Sequence, residues 1–558
     1  MCGIWALFGM ASHTSIHSNT SFTKIHHRGP DAWRIEFDRR VLNACIGFHR
    51  LSIVDCLYGM QPMKLHQFPH LSLLCNGELY NCQRLREQFD FSYETKCDVE
   101  CILHLYVAGG IENVVANLDG VFAFCIIDAE KQRVHCARDP FGVRPLFRLY
   151  SETGVLGISS EAKGLVDMRS ELNGAAYKLE PFPPSHFETY EIDPEGSCKL
   201  LEKKRYYTIG ETPPFKPFVP HTSLRGKDVK QNIRTLLTAA VRKRLMADRR
   251  IGCLLSGGLD SSLIAALTVK LAKEEKLPYK IQTFAIGMED SPDIVAARKV
   301  AAHIGSEHHE VSFTTEDVRQ ALDKVVFHLE TADITTVRAS VGMYLVSKYI
   351  KEHTDTTVVL SGEGADELAQ GYIYFRDAPS SEAAHEESVR LLSDIYLYDG
   401  LRADRTTSAF SLEMRVPFLD LQFTSYFLGL SPNSKRPQGG VEKHLLRSAF
   451  SDTGLLPDAI LWRHKEAFSD GVTSKKRSLF EVIQELVESR VSGDALREAA
   501  TKYTHCPPRT KEALYYRTVF EKHYADLASS FMPYYWMPRW IQVDDPSARF
   551  ISHYSADD

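Results

Sequence analysis

Residues 251–262 are Ile-Gly-Cys-Leu-Leu-Ser-Gly-Gly-Leu-Asp-Ser-Ser, an apolar run followed by a glycine turn. The run Ile251–Leu255 has the length and residue types of a buried strand, and a helix is predicted from about Ser261 to Glu275. A glycine-rich turn at the start of a helix presents free N–H groups and the positive end of the helix dipole, which suits a phosphate group. The turn is not a Walker A loop, because no Gly-Lys-Ser/Thr ending follows.

The chain on both sides of this turn alternates helices with strands. Apolar side chains recur at helical spacing over residues 229–245, and Ile281–Ile286 and Pro292–Ile304 are predicted as a strand and a helix. This alternation predicts a parallel sheet flanked by helices, an α/β arrangement. A second glycine-rich loop, residues 361–367, follows the predicted strand Val358–Leu360 and carries three carboxylates. Carboxylates so close repel each other unless a cation intervenes, which indicates Mg²⁺ bridging phosphates.

The first part of the chain, to about residue 190, has a different pattern. Short β-type runs such as Leu71–Cys75, Val121–Asp128 and Val155–Ser159 are separated by turn signals, and Asp98–Val107 is predicted as a helix between them. This pattern predicts packed antiparallel sheets with few helices, an α+β arrangement. A proline-rich stretch at residues 213–220 is typical of an extended linker, so we place a domain boundary there.

The composition is that of a soluble protein with more than one domain. The chain has 558 residues, of which 44% are hydrophobic and 25% charged. A net charge of −6 predicts no binding to nucleic acid or to an anionic membrane. No apolar run reaches the length of a membrane span, and Met1–Met10 lack the basic start of a secretory signal. We therefore expect a cytosolic protein.

The cysteines predict free thiols. Ten of the twelve lie in the first 198 residues at irregular spacings, which does not suggest a disulfide framework in a chain without an export signal. Cys97, Cys101 and His104 could share a helix face and bind zinc. No second ligand pair follows at the spacing of a zinc finger, so we reject a metal site built on sulfur.

Cys2 is a candidate nucleophile because it directly follows the initiator Met1. If Met1 is removed, Cys2 carries a thiol and a free α-amine, whose pKa is about 7.7–8.0 in model peptides. The amine can then act as general base for its own thiol. From position alone, a small residue buried in a first strand is the simpler explanation. The surrounding motifs decide between the two.

Five motifs lie in a fixed order in the first 150 residues. They are Cys2-Gly3-Ile4, His27-Arg28-Gly29-Pro30-Asp31, Gly47-Phe48-His49-Arg50-Leu51, Asn76-Gly77-Glu78, and Arg138-Asp139 with Gly142 and Pro145. Together they resemble the class II glutamine amidotransferases over roughly residues 2–190. The resemblance implies an αββα sandwich of the N-terminal-nucleophile type, which hydrolyses glutamine to glutamate and ammonia.

The resemblance also implies how the amide is attacked. Cys2 is the expected catalytic nucleophile. Amide hydrolysis passes through a tetrahedral oxyanion that needs fixed donors, and these are expected from the side chain of Asn76 and the backbone N–H of Gly77. A glycine there lets the backbone approach the substrate closely.

The glutamine-binding residues are assigned in the same way. Arg50 is expected to hold the α-carboxylate of glutamine in a fork, and Asp98, helped by Glu78, to hold its α-ammonium group. The expected glutamine-binding set is Arg50, Leu51, Ser52, Ile53, Val54, Asn76, Gly77, Glu78 and Asp98.

The turn at residues 256–262 resembles the pyrophosphate loop of the ATP pyrophosphatases, which cleave ATP between its α- and β-phosphates. The likeness extends nearly continuously to Trp540 and is closest to the synthetase domain of animal-type asparagine synthetases. The matching stretches are Phe284-Ala285-Ile286-Gly287, Ser291-Pro292-Asp293, Thr335–Ser340, Arg415–Asp420 and Lys465–Phe468. The resemblance implies an adenine-nucleotide α-hydrolase-like fold, with a parallel sheet flanked by helices.

This second resemblance implies a further set of site residues. The expected ATP-binding residues are Leu255, Ser256, Gly257, Gly258, Asp260, Ser261, Ser262, Ile286, Ser361 and Gly362. Thr335, Arg338 and Lys465 are assigned to aspartate, AMP or pyrophosphate, and Glu363 is expected to act catalytically in forming a β-aspartyl-AMP intermediate. The expected Mg²⁺ ligands are Asp260 and Asp366.

Both resemblances together imply one enzyme with two sites. Glutamine, aspartate and ATP are the expected partners, with neither nucleic acid nor membrane, and a homodimer is left open. Aspartate would attack the α-phosphorus of ATP, and ammonia from glutamine would displace AMP to give asparagine. The predicted domains are a glutaminase domain at 2–191, a connecting segment at 192–212, a synthetase domain at 213–540 and a C-terminal tail at 541–558.

Two rival interpretations stay open. A β-lactam-forming synthetase has the same architecture, but known forms have lost the cysteine nucleophile, and this chain keeps Cys2. A catalytically silent homologue with a regulatory role would be expected to lose charged site residues, yet Arg50, Asp260, Arg338 and Glu363 are all present. Sugar and purine amidotransferases share the first domain, but their second halves lack a pyrophosphate loop.

Overall fold

Up to residue 205, the part of the chain that the structure describes contains eleven strands. They are β1 (Gly3–Phe8), β2 (Ala32–Phe37), β3 (Cys45–Arg50), β4 (Leu71–Leu79), β5 (Gly120–Asp128), β6 (Arg133–Arg138), β7 (Phe147–Ser151), β8 (Leu156–Ser159), β9 (Tyr177–Pro181), β10 (His186–Ile192) and β11 (Cys198–Arg205). They form two antiparallel sheets with the strand orders β2-β3-β1-β8-β7-β9 and β11-β10-β6-β5-β4.

This computed structural model describes residues 1–10, 20–224, 226, 228–288, 291–463, 478–543 and 545–546. The described residues group into two units. Unit 1 comprises Met1–Lys216, Met246–Arg249 and Ser408–Ser411. Unit 2 comprises Pro217–Leu245, Arg250–Thr407 and the described residues from Leu412 onward.

The two sheets of unit 1 pack face to face. Alternate residues of β1 (Ile4, Ala6 and Phe8) share one apolar cluster with Ala123 and Cys125 of β5, because side chains along a strand alternate between the two faces of a sheet. The other face of β5 is covered by helices. Among the described residues of unit 1, the α-helices are Cys82–Phe89 and Cys101–Asn117, and the 3₁₀ helices are Phe22–Arg28, Asp98–Glu100, Ala162–Gly164 and Val166–Leu172. The predicted αββα sandwich is confirmed.

The helical stretch Asp98–Asn117 has the length and composition of a membrane span, with a mean hydropathy of 1.3, the only such stretch among the described residues. In the structure 61% of its most apolar 18-residue window is buried. Its apolar side chains, Ile102, Leu103 and Leu105 among them, pack in the core cluster behind β4 and β5. Its hydrophobicity is therefore that of a core helix.

The segment predicted as a connector, residues 192–212, contains a strand. β11 pairs with β10 in an antiparallel register from Ile192↔Cys198 to His186↔Arg205. The pairing brings the chain back along the edge of the second sheet after the turn at Gly196, whose φ is 88°. Because most side chains of β11 are charged and exposed, its sequence lacks the apolar signal of a strand.

The predicted alternation in the second part of the chain is present as a five-stranded parallel sheet, order β14-β13-β12-β15-β16. The strands are β12 (Arg250–Leu254), β13 (Gln282–Gly287), β14 (Glu307–Ser312), β15 (Thr356–Leu360) and β16 (Glu413–Arg415). The α-helices from residue 217 onward are Val229–Lys243, Leu259–Glu274, Pro292–Ile304, Thr315–Leu329, Ile334–His353, Ala365–Leu368, Ser381–Asp394, Asp399–Ser408, Leu421–Leu428, Pro432–Lys435, His444–Phe450, Asp458–Leu461, Leu479–Arg490, Gly493–Lys502, Lys511–Tyr524 and Ala528–Phe531. The 3₁₀ helices there are His221–Ser223, Ile373–Asp377, Ile395–Leu397 and Pro417–Leu419.

The strand order of this sheet creates a place for a ligand. The chain passes from β12 to β13 and β14 toward one edge, and then from β15 to β16 toward the other, so its direction reverses between β12 and β15. In open α/β sheets, ligands bind at the carboxyl ends of the strands at such a reversal. The two glycine-rich loops, residues 256–262 and 361–367, follow β12 and β15. The fold therefore brings both loops to this point.

Candidate active sites

Cys2 lies directly before β1, half-buried, with its thiol against a neighbouring peptide group. The backbone N–H of Leu51 donates to Sγ of Cys2 at 3.4 Å, and Sγ lies 3.6 Å from the carbonyl oxygen of Leu51. The backbone nitrogen of Cys2 donates to Oδ1 of Asn76 at 3.1 Å. The same nitrogen is the α-amine once Met1 is removed. The thiol, its candidate base and Asn76 therefore lie together.

The side chain of Asn76 keeps a donor available. Its Oδ1 is used by Cys2, whereas Nδ2 is buried and has no hydrogen-bond partner in the part of the chain that the structure describes. Buried polar groups are normally paired, so an amide N–H next to a thiol is suited to an oxyanion formed there. At Gly77, a Cβ would lie 2.7 Å from the carbonyl oxygen of Val121 and 3.0 Å from Cβ of Phe122. Glycine is thus needed there by the close approach of β5.

The His-Arg-Gly-Pro-Asp motif, residues 27–31, contacts the backbone of Cys2. Nε of Arg28 donates to the carbonyl oxygen of Cys2 at 2.9 Å, and its Nη1 pairs with Glu161 at 2.6 Å, with both side chains fully buried. Burial lowers the pKa of His27, although Glu161, 3.1 Å away, raises it. Oδ2 of Asp31 accepts the backbone N–H of Ser52 at 2.8 Å. The motif therefore positions the nucleophile and the strand end beside it.

Arg50 is a buried cation that has no ion-pair partner among the described residues. Its guanidinium donates to the carbonyl oxygens of Asp55 and Cys56. A Cβ at Gly59 would lie 2.6 Å from Nη2 of Arg50, so this glycine leaves room for the side chain. A buried cation without a carboxylate is costly unless an anion arrives, which suits a ligand carboxylate at this position.

The loop after Arg50 is organised by Asp55, which sequence reasoning missed. Asp55 has φ of 55°, and its Oδ1 accepts the backbone N–H groups of Leu57 and Tyr58 at 3.2 and 3.0 Å. Its Oδ2 accepts the backbone N–H of Lys96 at 2.8 Å. Burial raises the pKa of the carboxyl, but these hydrogen bonds outweigh burial and the net pKa is lowered. The positive φ of a non-glycine residue has no signal in the sequence.

The other predicted glutamine-binding residues lie around the same loop. Leu51 and Ile53 are buried, and Val54 is half-buried. Asp98 is buried at the start of a 3₁₀ helix, and its Oδ2 accepts the backbone N–H of Leu79 at 2.7 Å. Glu78 is buried in β4 beside Asn76 and Gly77. The fold therefore brings the ends of β3 and β4 and the start of the Asp98 helix into the same part of unit 1.

The motif Arg138-Asp139 is structural. The guanidinium of Arg138 donates to the carbonyl oxygens of Arg144, Phe182 and Gly142 at 2.7–2.8 Å. Asp139 is fully buried and accepts backbone N–H groups of the same turn, which holds the chain between β6 and β7. The motif therefore stabilises the turn that joins a strand of the second sheet of unit 1 to a strand of the first.

Unit 2 contains a cavity of about 310 Å³ at the carboxyl ends of its strands. Most of the predicted synthetase residues line it: Leu255, Ser256, Gly258, Asp260, Ser261, Ile286, Thr335, Arg338, Ser361, Gly362, Glu363 and Asp366. Of the predicted residues that the structure describes, two do not. Gly257, with φ of 76°, packs against Ala296 of the next helix, and Ser262 is fully buried in the helix Leu259–Glu274.

Hydrogen bonds of its own serine side chains stabilise the first glycine-rich loop, residues 256–262. The hydroxyl groups of Ser256 and Ser261 lie 3.0 Å apart, and the backbone N–H of Gly258 donates to Oγ of Ser256 at 3.3 Å. The N-cap of the helix that begins at Leu259 is Gly258, which has no side chain to cap it, so the first N–H groups of this helix are available to a ligand. A Cβ at Gly362 would lie 2.8 Å from Cβ of Asp260, which shows how closely the second loop approaches the first.

A lysine from a distant part of the chain joins the two loops. Nζ of Lys443 pairs with Oδ2 of Asp260 and, at 2.6 Å, with Oδ1 of Asp366. The lysine side chain is buried, and Gly371 leaves space for it, because a Cβ at residue 371 would lie 2.0 Å from both Cε of Lys443 and Oδ1 of Asp366. The ammonium group thus balances two carboxylates that would otherwise repel each other.

Glu363 belongs to a second charged network in the same cavity. Its Oε2 accepts Nη2 of Arg402 at 2.8 Å, and the same nitrogen pairs with Asp399 at 2.6 Å. The hydroxyl of Tyr372 lies 2.8 Å from Asp399 and 2.7 Å from Glu367. Burial, followed by the charge of Asp399, raises the pKa of the Glu367 carboxyl well above its usual range.

The helix Ile334–His353 contributes Thr335 and Arg338. Asp333 caps the helix by accepting the backbone N–H of Thr336 at 2.8 Å. Oγ1 of Thr335 is buried and has no hydrogen-bond partner among the described residues, which leaves it available to a ligand. Arg338 is buried and pairs with Glu512. Lys465 lies outside the described residues.

Sequence reasoning missed Lys443, Gly371 and the partners of Glu363. None of them lies in a glycine-rich loop or beside a predicted strand, and each acts on a residue that is distant in the chain. A cation for the acidic loops was expected, but nothing in the local sequence distinguishes Lys443 from the many surface lysines. Gly371 follows Gln370, whose φ is 57°. A tight turn at these two residues is the signal that could have drawn attention to this glycine.

Comparisons with known proteins show which family the chain resembles over its whole length. A family profile described as Asparagine synthase matches residues 232–385 and 376–543, and one described as Glutamine amidotransferase domain matches residues 1–182. A glutamine-hydrolyzing asparagine synthetase of Gallus gallus is 55% identical over 560 residues, covering 100% of this chain and 99% of the relative. The protein of the same name from Homo sapiens is 54% identical with the same coverage. A solved structure of an allosteric regulatory enzyme of purine biosynthesis aligns with 56% of this chain and 80% of its own, at 17% identity and a TM-score of 0.31.

Proposed function

Because the chain belongs to the family of glutamine-hydrolysing asparagine synthetases, we propose that its two sites divide that reaction between them. The reaction is the ATP-dependent synthesis of asparagine from aspartate with glutamine as nitrogen donor, and the protein is a ligase. One observation carries the division: the thiol of Cys2 lies with Asn76 in unit 1, whereas the two glycine loops and their carboxylates line a cavity in unit 2. The full-length similarity to asparagine synthetases disfavours a β-lactam-forming enzyme.

In unit 1, the amine of Cys2 takes the proton of the thiol, and the thiolate attacks the side-chain amide of glutamine. Nδ2 of Asn76 and the backbone N–H of Gly77 hold the oxyanion that forms. Water then releases glutamate from the thioester, after ammonia has left. Arg50 binds the α-carboxylate, and Asp98 with Glu78 binds the α-ammonium group.

In unit 2, the β-carboxylate of aspartate attacks the α-phosphorus of ATP, and pyrophosphate leaves. Ser256, Ser261 and the first N–H groups of the helix that begins at Leu259 bind the departing phosphates. The loop lacks the lysine that a P-loop directs at the β- and γ-phosphates, which agrees with cleavage at the α-phosphorus. Glu363 and Thr335 face the reacting groups, and ammonia displaces AMP to form asparagine.

The acidic residues of the two loops suit Mg²⁺, which we propose as the cofactor. Mg²⁺ prefers carboxylate oxygens, and Oδ1 of Asp260 is buried without a hydrogen-bond partner among the described residues. Asp260 and Asp366 would hold the ion, with Lys443 beside them. When bound, the ion offsets the negative charge of the phosphates. The ion pairs of Lys443 with Asp260 and Asp366 hold the two loops together.

The proposal takes glutamine, aspartate and ATP as the substrates and assigns neither nucleic acid nor membrane as a partner. The net charge of −6 supports this, because a nucleic-acid-binding surface needs a basic patch. We also propose a cytosolic location, which fractionation of cells that express the protein would test. A homodimer remains open and is measurable by light scattering.

The experiment that tests this function follows the products of purified protein with aspartate, Mg-ATP and glutamine. AMP, pyrophosphate and asparagine are expected in equal amounts. With ¹⁸O in the β-carboxylate of aspartate, one labelled oxygen is expected in AMP, because the carboxylate oxygen that attacks the phosphorus stays with it. ADP with inorganic phosphate, or unlabelled AMP, would exclude the adenylation route.

Replacing Arg50 with lysine is expected to raise the KM for glutamine by about 10- to 100-fold, because lysine keeps the charge but loses the planar fork. Synthesis from ammonium chloride should not change. Arg39→Lys is the matched control, since Arg39 is exposed in the same unit. Unaltered glutamine kinetics in Arg50→Lys would remove Arg50 from the site.

Replacing Gly371 with alanine is expected to weaken the binding of Mg-ATP by about 10-fold, because the added Cβ must displace Lys443 or Asp366. Calorimetric titration of Mg-ATP measures this directly, without turnover. Gly226→Ala is the matched control, because a Cβ at residue 226 would meet nothing within 4 Å. Equal affinities in the two variants would show that Lys443 has no part in nucleotide binding.

A further inference from the structure

Two consecutive residues from the second half of the sequence, Asp248 and Arg249, belong to unit 1. The backbone N–H of Asp248 donates to the carbonyl oxygen of Ile53 at 2.8 Å, and its Oδ2 accepts the backbone N–H of Asp55 at 2.9 Å. Nε of Arg249 donates to the carbonyl oxygen of Ser52 at 2.8 Å. These two residues therefore fix the backbone of the loop at residues 52–55, which follows Arg50.

Arg249 also joins this loop to the His-Arg-Gly-Pro-Asp motif. Its Nη2 pairs with Oδ2 of Asp31 at 2.9 Å, and the same carboxylate oxygen accepts the backbone N–H of Ser52 at 2.8 Å. Arg249, Asp31 and Ser52 thus form a closed network in which each is bonded to the other two. The side chains of Arg249 and Asp31 are 39% and 30% exposed, so the ion pair by itself adds little to stability. Its effect is on the geometry of the loop.

Asp55 needs such support because of its backbone conformation. Its φ of 55° lies in the left-handed region, which is uncommon for a residue other than glycine and persists where the surrounding structure enforces it. The carbonyl oxygen of Asp55 accepts the guanidinium of Arg50, and its N–H is the group that Asp248 binds. The conformation of this one residue therefore links the side chain of Asp248 to the position of the Arg50 guanidinium.

We propose that Asp248 and Arg249 are positioning residues for glutamine, which hold the loop at residues 52–55 in the conformation that lets Arg50 bind the α-carboxylate. They act through Arg50 and not by contact with the substrate. A site that is competent for only part of the time binds its ligand with an affinity reduced by that fraction, so the two residues lower the KM for glutamine. The proposal rests on the proposed function for the identity of the ligand.

The alternative is that the two residues only stabilise unit 1, and Asp248 makes the distinction measurable. Its side chain is exposed, and the bond to Asp55 is the one hydrogen bond that its carboxylate makes with the described residues. A loss of stability reduces the amount of active protein and lowers synthesis from glutamine and from ammonia alike. A displaced Arg50 weakens the binding of glutamine alone.

The test measures glutamate release against glutamine concentration. In Asp248→Ala the KM for glutamine is expected to rise by about 10-fold with kcat within about two-fold, because a hydrogen bond to a charged acceptor is lost. Asp248→Asn keeps an oxygen that can accept the N–H of Asp55, so its KM should stay within about three-fold of the parent value. Asp193→Ala is the matched control, since it removes an aspartate oxygen that accepts the backbone N–H of Ser197 at 2.8 Å elsewhere in unit 1. Arg249→Ala should raise the KM at least as much as Asp248→Ala.

Synthesis from ammonium chloride should be unchanged in all four variants. An unchanged KM for glutamine in Asp248→Ala would overturn the proposal, as would equal losses of synthesis with glutamine and with ammonia.

An equilibrium measurement separates this proposal from the proposed function. Calorimetric titration of glutamine into full-length protein that carries Cys2→Ala gives the affinity without hydrolysis, and adding Asp248→Ala is expected to weaken it by about 10-fold. Equal affinities with and without Asp248→Ala would overturn the positioning role alone. A parent protein that binds glutamine but makes no asparagine would contradict the proposed function alone, because the affinities of the variants still report the positioning of Arg50.

Discussion

Replacing Cys2 with alanine is expected to reduce glutamine-dependent asparagine synthesis by about 10⁴-fold or more, because alanine has no nucleophile to replace the thiol. Synthesis from added ammonium chloride should stay within about two-fold of the parent protein, since ammonia needs no activation by a nucleophile. The physical ground is that the thiol and its partners Leu51 and Asn76 all belong to unit 1, whereas the cavity beside the two glycine-rich loops is lined by unit 2.

The measurement is asparagine formation with each nitrogen donor in turn, together with glutamate release. Cys506→Ala is the matched control, because it removes another half-buried thiol from unit 2. Loss of ammonia-dependent synthesis in a folded Cys2→Ala protein would contradict the two-site division. A protein that keeps Met1 should behave like Cys2→Ala with glutamine, because acylation removes the base.

Replacing Glu363 with alanine is expected to lower asparagine synthesis from both nitrogen donors by about 10²- to 10⁴-fold, the range typical of a lost acid–base group at a reaction centre. Glutamate release in unit 1 should remain measurable. Arg402 holds Glu363 at 2.8 Å, so its charge and orientation are set by a network that includes Asp399. Losing the carboxylate also leaves Arg402 with one partner fewer.

The variant Glu363→Gln distinguishes an effect of the carboxylate charge of Glu363 from an effect of the shape of its side chain. Glutamine keeps the shape and can still face Arg402, but it cannot take a proton, so an equal loss in both variants assigns the effect to the carboxylate charge. Glu382→Gln, at an exposed site on the helix Ser381–Asp394, is the matched control. Normal formation of AMP and pyrophosphate in Glu363→Ala would remove Glu363 from the adenylation step.

The local sequence pattern was sufficient to predict many of the helices and strands of unit 2. The helix Pro292–Ile304 has the predicted bounds, because Ser291 caps it by accepting the N–H of Ile294 at 3.3 Å and Gly305 ends it with φ of 73°. Caps and turns of this kind depend on neighbours in the sequence. The strand at β11 was missed for the opposite reason, since its pairing with β10 comes from the sheet and not from its own residues.

The site residues divide in the same way. Asp260 and Asp366 were predicted because each lies in a glycine-rich loop after a strand, which is a local pattern. Lys443 and Arg402 were not, because the carboxylates that they pair with are 183 and 39 residues away in the chain. Neither residue has a local pattern that marks it, so its role exists only after the strands of the parallel sheet are ordered.

By itself the sequence determined the two-part organisation, the strand–turn–helix elements, the family and the residues of each glycine-rich or N-terminal motif, because these depend on neighbouring residues and on side-chain type. The tertiary structure decided which distant side chains complete those motifs: Arg28 behind Cys2, Lys443 between the two acidic loops, and Asp545 on Arg338. The physical reason is that a buried charge must have a partner, and the fold, not the spacing along the chain, determines which opposite charge comes within hydrogen-bond distance.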